Sequence, residues 1–235
     1  MNGAYDELVA RSGLAHSHRL VLDEVRAGAR VLDVGCAGGY LATVLLGRGH
    51  AVLGVEPDAA AAAAARDRGV EVLEGGFDDP QVRGDLDAGS FDAVLLADVL
   101  EHLADPWEAL AHARTLLAPG GRAIVSVPNI ANWTARRDVA RGRFDYAPHG
   151  IFDRTHLRFF TRATARELAA RAGFGVAAER FATGSLPLER FARARLGGTE
   201  QQPAPAVARL REALTRRAPE LFALQFVLVL EPRGP

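Results

Sequence analysis

The sequence has 235 residues, 49% of them apolar, which is enough to bury one sizeable core and favours a single domain over residues 1–235. A formal net charge of −1, with no long block of like charges, argues against nucleic acid as a partner. The single cysteine excludes a disulfide framework and a multi-cysteine zinc site, and the absence of lysine excludes P-loop and Schiff-base chemistry. We therefore expect neither a metal site nor a nucleic-acid partner.

The N-terminal region carries charged side chains throughout its first thirty residues, and no run of eighteen apolar residues occurs in the sequence. This pattern is not typical of a signal peptide or of a membrane-spanning helix. We expect a cytoplasmic protein without a membrane partner. The sequence does not indicate its oligomeric state.

Apolar bursts alternate with helical patterns along the chain, which indicates βαβ units and a mostly parallel sheet. The predicted strands are 30–35, 51–56, 70–75, 91–97, 122–128, 174–182 and 222–232. Predicted helices over 40–49, 58–69, 106–121 and 161–174 lie between them, and the third is expected to stop at Pro119 and Gly120. The predicted fold is α/β, a Rossmann-like seven-stranded sheet with helices on both faces.

Residues 129–160 interrupt this alternation after the fifth strand and have little strand character. A long irregular insertion in a compact domain is usually functional or disordered. The Trp, Phe and Tyr content of this segment favours an ordered lid or substrate platform. Residues 184–220 are expected to form a loop and a helix before the last strand, with a mobile loop over 197–206.

A glycine-rich turn with the spacing D-x-G-x-x-x-G follows the first strand and contains Asp33, Gly35 and Gly39. A dinucleotide fingerprint would instead seat a pyrophosphate on the helix N-terminus, and a carboxylate here would repel it. Asp33 suits a ligand that presents an ammonium group, as the amino-acid end of S-adenosylmethionine does. Glu56, at the end of the second strand, is placed to accept both ribose hydroxyls. The alternative is that Asp33 and Glu56 only cap helices.

Five segments resemble, in order and at normal spacing, the motifs of the class I S-adenosylmethionine-dependent methyltransferases. They are "VLDVGCAGG", "VLGVEPD", "LEGGFDD", "FDAVLLADVLEHLADP" and "LLAPGGRAIVSVPN". The segment "GIFDRTHLRFFTRATARELAARAGF" is similar to a bacterial subgroup found among natural-product and polysaccharide pathways. The resemblance covers about residues 16–183 and departs at Ala37, where family members commonly have glycine.

This resemblance implies a cofactor site for S-adenosyl-L-methionine at the carboxyl ends of the strands. The turn would contact the methionine end and Glu56 the ribose, with Phe77 and Asp78 at the adenine, although Gly76 stands where many relatives have aspartate. Main-chain carbonyls of Ala97 and Asp98 would face the methionine end. The implied cofactor-binding residues are Asp33, Gly35, Cys36, Ala37, Gly39, Glu56, Pro57, Phe77, Asp78, Ala97 and Asp98. Cys36 is interpreted as a small apolar filler rather than a nucleophile.

Methyl transfer needs alignment first and deprotonation of the acceptor second. The candidate general bases are His156, His149 and His102, with Asp153 placed three residues before His156 to orient its ring. The alternatives are that Asp153 caps a short turn and that the histidines have structural roles. His156 is the residue that we predict to be the base.

The acceptor itself is only weakly indicated by the sequence. A cluster of arginines at 136, 137, 141 and 143 is interpreted first as a solvated helix face and second as a site for an acidic or phosphate-bearing small molecule. We expect O-methylation, with N-methylation next, in bacterial natural-product or saccharide biosynthesis. The alternatives are a catalytically silent cofactor-fold binding protein and an NAD-dependent oxidoreductase. The second would need a G-x-G-x-x-G turn and, in the short-chain type, a Tyr-x-x-x-Lys pair.

Overall fold

The computed structural model describes residues 13–187 and 204–234. Its strands form one sheet and are β1 Arg30–Val34, β2 Ala51–Glu56, β3 Glu71–Glu74, β4 Phe91–Ala97, β5 Leu117–Pro128, β6 Phe174–Thr183 and β7 Ala223–Pro232. The strand order is β3-β2-β1-β4-β5-β7-β6. Only β7 runs antiparallel to its neighbours, so the predicted mostly parallel seven-stranded sheet is confirmed.

Helices cover both faces of this sheet. Within the described residues they are α1 His16–Asp23, α2 Tyr40–Gly47, α3 Ala59–Asp67, α4 Pro80–Gly84, α5 Pro106–Leu116, α6 Trp133–Ala140, α7 Arg162–Arg171, α8 Pro205–Arg217 and α9 Pro219–Phe222. A 3-10 turn, Leu100–His102, follows β4. Most of the predicted loop 197–206 lies outside the described residues, but Pro205 begins α8, where its fixed φ suits the first helical turn.

The strands are apolar because both of their faces are buried. In β1, Val31 packs into one core cluster whereas Leu32 and Val34 pack into the cluster on the opposite face. The same alternation in β4 sends Leu95 to one face and Leu96 to the other, and both side chains are fully buried. Two-sided burial explains why these strands read as continuous apolar runs.

The helix predicted over 106–121 ends at Leu116, five residues early. Leu117 has extended backbone angles and pairs with Phe91 across a register shift between β4 and β5. Added at Gly121, a Cβ would lie 2.8 Å from the Phe91 carbonyl oxygen, so the chain approaches β4 too closely for a side chain there. The glycines therefore permit an early entry into the sheet rather than ending a longer helix.

The insertion 129–160 leaves and returns at one point of the sheet edge. Asn129 bridges Phe160, and the Ile130 amide donates to the Phe160 carbonyl at 2.9 Å. The fully buried Asn129 side-chain amide donates to the Ala223 carbonyl at 2.9 Å, at the start of β7. The ends of the insertion are thus joined to each other and to β7, immediately after β5.

Gly39 begins α2 with a φ of 79° and lies against α3, where an added Cβ would come within 2.9 Å of the Ala65 Cβ. Gly49 has a similar φ of 84° with open space around it. We expect Gly39→Ala to lower the free energy of unfolding by about 1–3 kcal/mol more than Gly49→Ala, because only the former adds a packing clash to the left-handed strain. Urea denaturation of both variants measures the difference, and equal destabilisation would contradict this packing.

Candidate active site

The turn after β1 is fastened to β2. The amides of Gly35 and Cys36 donate to the Val55 carbonyl at 2.8 and 3.2 Å. Gly35 and Ala37 both have positive φ values, 68° and 49°. An added Cβ at Gly35 would lie 2.9 Å from Val99 Cγ2, so this glycine lets the turn pack against the chain that follows β4. Left-handed backbone at Ala37 costs about 1–2 kcal/mol, which a glycine would avoid.

Asp33 is buried at the base of this turn, with 1% of its surface exposed. Its Oδ2 atom has no hydrogen-bond partner, and burial raises the pKa of the carboxyl to about 7, with smaller opposing effects of His18 and Glu56. The alternative that Asp33 caps the next helix is wrong, because α2 begins at Gly39 without a side-chain cap. The ammonium group of an S-adenosylmethionine-type ligand fits the unpaired oxygen.

Glu56 ends β2 and is also buried, but its carboxylate is held by the backbone. Oε2 accepts from the Ala37 amide at 2.8 Å, and Oε1 accepts from the Asp58 amide at 2.9 Å. Asp58, not Glu56, caps α3 by accepting from the Ala61 amide at 2.9 Å. The two carboxylate oxygens, held in this position, match the spacing of two vicinal hydroxyls on a ribose.

Asp98 lies directly after β4 in left-handed backbone, with a φ of 58°. Its Oδ1 accepts from the Ser126 hydroxyl at 2.5 Å and from the Gln225 amide at 2.9 Å, and His18 Nε2 lies 3.4 Å from Oδ2. Burial raises the pKa of Asp98, but the hydrogen bonds from His18, Ser126 and Gln225 outweigh it and hold the pKa below its ordinary value. The sequence did not single out these three partners, because they come from α1, β5 and β7.

The predicted adenine end combines a core side chain with an exposed one. Phe77 is buried and its ring lies 5.0 Å from that of His112, so only its backbone remains for a ligand. Asp78 is exposed, and its Oδ1 would lie 2.6 Å from a Cβ added at Gly76. The Asp78 carboxylate therefore occupies the space of the side chain that many relatives carry at position 76.

Cys36 is an inert filler, as interpreted from the sequence. It is 3% exposed, and its sulfur would lie 2.6 Å from a Cβ added at Gly54 of β2. Burial, with Asp33 and Glu56 nearby, raises the pKa of the thiol far above its ordinary value. A protonated thiol is a poor nucleophile, so Cys36 contributes packing and backbone to the turn.

Two of the predicted histidines meet above the end of β4. The rings of His102 and His156 are 4.8 Å apart, in an edge-on arrangement. His156 Nδ1 contacts the Ile151 carbonyl at 3.1 Å, and burial, together with the charge of His102, lowers the pKa of His156 despite that hydrogen bond. His149 instead lines a cleft of about 340 Å³ with residues that include Thr134, Arg143 and Phe152.

The predicted pairing of Asp153 with the His156 ring is wrong. Asp153 Oδ1 accepts from the Thr155 amide at 2.8 Å and from the Thr155 hydroxyl at 2.7 Å, which is the turn-capping alternative. Its carboxylate is short and lies within this turn, so the Ile151 carbonyl orients the His156 ring instead. These hydrogen bonds hold the pKa of Asp153 below its ordinary value against the effect of burial.

Glu101 is the site residue that the sequence analysis overlooked, although it stands within the quoted "LEH" segment. It is 1% exposed, and neither carboxylate oxygen has a hydrogen-bond partner within the described residues. Burial, with Asp98 and Asp153 nearby, raises its pKa well above the ordinary value. The backbone of the insertion closes over it, since the amides of Leu157 and Arg158 donate to its carbonyl at 2.8 and 3.0 Å.

An aromatic cluster orders the insertion. The Phe144 ring lies 4.6 Å from Phe152, 5.5 Å from Phe159 and 5.6 Å from Tyr146. Such pairs contribute about 0.5–1.5 kcal/mol beyond the burial of their area. The aromatic side chains of the insertion thus pack against one another, and its role as a lid or substrate platform stays a prediction.

The arginines of the insertion are largely engaged in local contacts. Arg137 pairs with its neighbour Asp138 at 2.7 Å, and Arg143 pairs with Asp145 at 2.7 Å. Arg136 Nε donates to the Ala131 carbonyl at 2.6 Å. These contacts favour a solvated helix face over an open anion-binding cluster.

Residues 5–179 match the model of a family described as "Methyltransferase domain". The chain belongs to this family. Its membership confirms the predicted enzyme class, an S-adenosyl-L-methionine-dependent methyltransferase, and the predicted cofactor.

The methyltransferase fold is also seen in solved S-adenosylmethionine-dependent methyltransferases. That of Thermotoga maritima has a TM-score of 0.66 and 20% identity over 98% of this chain and 96% of its own. That of Archaeoglobus fulgidus has a TM-score of 0.63 and 17% identity over 97% and 99%.

Curated relatives of this methyltransferase include ubiquinone biosynthesis O-methyltransferases. The protein of Alkalilimnicola ehrlichii is 39% identical over 105 residues, which are 43% of this chain and 42% of the relative. That of Azotobacter vinelandii is 36% identical over 109 residues, 44% and 46% of the two chains. The match thus spans less than half of these relatives. No helix in the described part of this methyltransferase is long and apolar enough to cross a membrane.

The raised pKa of Asp33 gives a pH dependence with a definite sign. In the unfolded chain the Asp33 carboxyl has its ordinary pKa of 3.8, whereas in the folded protein its pKa is about 7. Between these values the folded state binds the proton more tightly, so rising pH removes stability. We expect the free energy of unfolding of Asp33→Asn to rise relative to that of wild type, by on the order of 2–4 kcal/mol between pH 4 and pH 7.

Chemical denaturation across this pH range, without ligand, measures the effect. Asp67→Asn is the matched control, because Asp67 is exposed at the end of α3. The control is expected to follow the wild-type profile. Parallel profiles for Asp33→Asn and wild type would contradict a raised pKa at Asp33.

Proposed function

We infer that this protein transfers a methyl group from S-adenosyl-L-methionine to a hydroxyl group of a small molecule. The observation that carries the proposal is the pair of buried carboxylates at the ends of β1 and β2. Asp33 has an oxygen without a partner, and Glu56 is held by two backbone amides. These groups fit an ammonium and a pair of ribose hydroxyls, whereas a pyrophosphate would meet two negative charges.

In this proposal the turn 33–39 binds the methionine end of the cofactor, with the backbone of Gly35, Cys36 and Gly39 contributing. Glu56 and Pro57 lie at the ribose, and the backbone of Phe77 and the carboxylate of Asp78 at the adenine. Ala97 and Asp98 contribute main-chain carbonyls near the methyl group. The cofactor, when bound, supplies a methyl group activated by a sulfonium.

The chain's own contribution to transfer is alignment and removal of the hydroxyl proton. The Ile151 carbonyl only accepts hydrogen bonds, so the proton of the His156 ring sits on Nδ1 in that contact. Nε2 is then available to take the proton of the acceptor hydroxyl during methyl transfer. The insertion 129–160, which closes over Glu101, is proposed to cover the acceptor, with His102 and His149 as the other candidate bases.

The preference for a hydroxyl acceptor is supported by the names of the curated relatives, which are O-methyltransferases. A role in bacterial natural-product or saccharide biosynthesis remains our prediction, and a quinone-type acceptor like that implied by those names is the competing class. The aromatic cluster around Phe144 favours an acceptor with an aromatic or apolar body, whereas the paired arginines weaken the case for a phosphate-bearing one.

Calorimetric titration tests the cofactor half of this proposal. We expect S-adenosylhomocysteine to bind and NAD not to bind. Glu56→Gln is expected to weaken S-adenosylhomocysteine by about tenfold or more, because it removes hydrogen bonds to a charged group worth about 1.5–3 kcal/mol. Glu74→Gln is the matched control at the end of β3, where Glu74 is paired with Arg66 on the surface, and should leave affinity unchanged.

Equal or tighter binding of NAD would overturn the cofactor assignment. A screen of phenols, alcohols and amines with methyl-labelled cofactor then tests the transfer. Binding without turnover of any acceptor would favour the catalytically silent alternative, and turnover of amines alone would contradict O-methylation.

A further inference from the structure

Glu101 and His102, in the 3-10 turn after β4, meet His156 of the insertion. Each residue offers one ligand atom, and these three atoms all lie within 4.8 Å of one another. In a tetrahedral zinc site with bonds of about 2.0–2.1 Å, neighbouring ligand atoms are roughly 3.4 Å apart. The three groups therefore need to converge by at most about 1.4 Å, which the exposed side chain of His102 permits.

The carboxylate of Glu101 supplies independent evidence that a cation belongs here. Both oxygens are buried, neither has a hydrogen-bond partner, and no ion pair to Glu101 occurs within residues 13–187 and 204–234. An ionised carboxylate without partners is strongly unfavourable in such a place, so without a cation the group holds a proton, and a metal ion that replaces this proton would satisfy both oxygens. Glu101 is next in sequence to one imidazole and in reach of the other.

Both imidazoles are oriented by backbone carbonyls. His102 Nδ1 lies 3.2 Å from the Thr155 carbonyl, and His156 Nδ1 lies 3.1 Å from the Ile151 carbonyl. Because a carbonyl only accepts, each Nδ1 carries the proton in these contacts, and Nε2 is left with its lone pair in the neutral ring. A metal-bound histidine almost always donates its other ring N–H in this way.

A further hydrogen bond explains the position of Asp153. Its carboxylate accepts the hydroxyl proton of Thr155 at 2.7 Å, so the Thr155 oxygen, 3.1 Å from His102 Nδ1, is free to accept as well. Asp153 thus acts on His102 through Thr155. It is a positioning residue in the shell around the three ligands.

We propose that Glu101, His102 and His156 bind a divalent transition-metal ion, Zn²⁺ being the form to test, with coordination positions left open. Two imidazoles and one carboxylate favour such an ion over Mg²⁺ or Ca²⁺, which prefer all-oxygen ligand sets. The sequence analysis expected no metal because it considered only cysteine sets, whereas this set is completed by a residue from the insertion.

The consequence for catalysis rests on the proposed function. A hydroxyl bound at an open position of the ion has a lowered pKa and releases its proton to solvent more readily. His156 Nε2 then holds the metal and does not serve as the base. The insertion would accordingly order an acceptor on the ion as well as cover it.

The test uses the whole chain after dialysis against a chelator, without S-adenosylmethionine or acceptor. Zn²⁺ is titrated by calorimetry, and Co²⁺ is titrated by its visible d–d absorption. We expect one ion per chain, a Co²⁺ spectrum of a nitrogen- and oxygen-ligated site, and a rise in Tm with Zn²⁺. Glu101→Gln and His102→Ala should each weaken Zn²⁺ at least about tenfold, since even residues behind the ligands contribute 10–100-fold.

Matched controls keep the outcome interpretable. Glu167→Gln removes an exposed carboxylate on α7 and His149→Ala removes a histidine outside the cluster, and both should bind Zn²⁺ like wild type. Because His102 is exposed, its variant should fold, which the Tm without metal verifies. No binding by wild type, or unchanged binding by folded His102→Ala, would overturn the metal site. Titration of S-adenosylhomocysteine on the same samples separates this failure from failure of the proposed function.

Discussion

The burial of carboxylates at one edge of the sheet is the constraint on which the candidate site depends. Asp33 and Glu56 lie at the ends of β1 and β2, and Asp98 and Glu101 follow β4. Asp33, Glu56 and Glu101 are buried, and Asp98 is half-buried and paired with side chains of other elements. A buried carboxylate is tolerated when donors or a cation compensate it. Two of the four are satisfied by the protein, Glu56 by backbone amides and Asp98 by side chains from other elements. The other two have oxygens without a hydrogen-bond partner, and we assign these to cationic partners.

The parallel sheet makes this arrangement possible. Strands β2, β1 and β4 are neighbours in that order, so their carboxyl ends, and the turns that follow them, meet at one edge. Ser126 near the end of β5 and Gln225 of β7 extend the edge and lock Asp98, while the joined ends of the insertion start from Asn129 immediately beyond β5. One part of the site is thus built from strand ends, and the insertion 129–160 starts from the same edge of the sheet.

The sequence predicts most of the sheet because its signals are local. An apolar run bounded by Gly or Asp defines β1, β2 and β4. The D-x-G-x-x-x-G spacing after β1 is also local, and it predicts which class of ligand the turn binds. The sequence did not predict that α5 ends at Leu116. The pairing of Leu117 with Phe91 that ends it is a tertiary contact, and it overrides the local helical pattern. The partners of Asp98 escaped prediction for the same reason, since they come from three distant elements. Asp153 was within reach of His156 in sequence, but its short side chain closes a turn with Thr155 instead.

Proton release on binding of S-adenosylhomocysteine tests most directly whether the buried carboxyl of Asp33 binds the cationic group of the ligand. With a pKa of about 7, the Asp33 carboxyl is about three-quarters protonated at pH 6.5, and it must ionise to pair with the ligand's ammonium. Calorimetry at pH 6.5 in buffers of different ionisation enthalpy is predicted to show release of most of one proton per ligand, and none for Asp33→Asn. An absence of proton release by wild type, or an equal release by Asp33→Asn, would contradict the account.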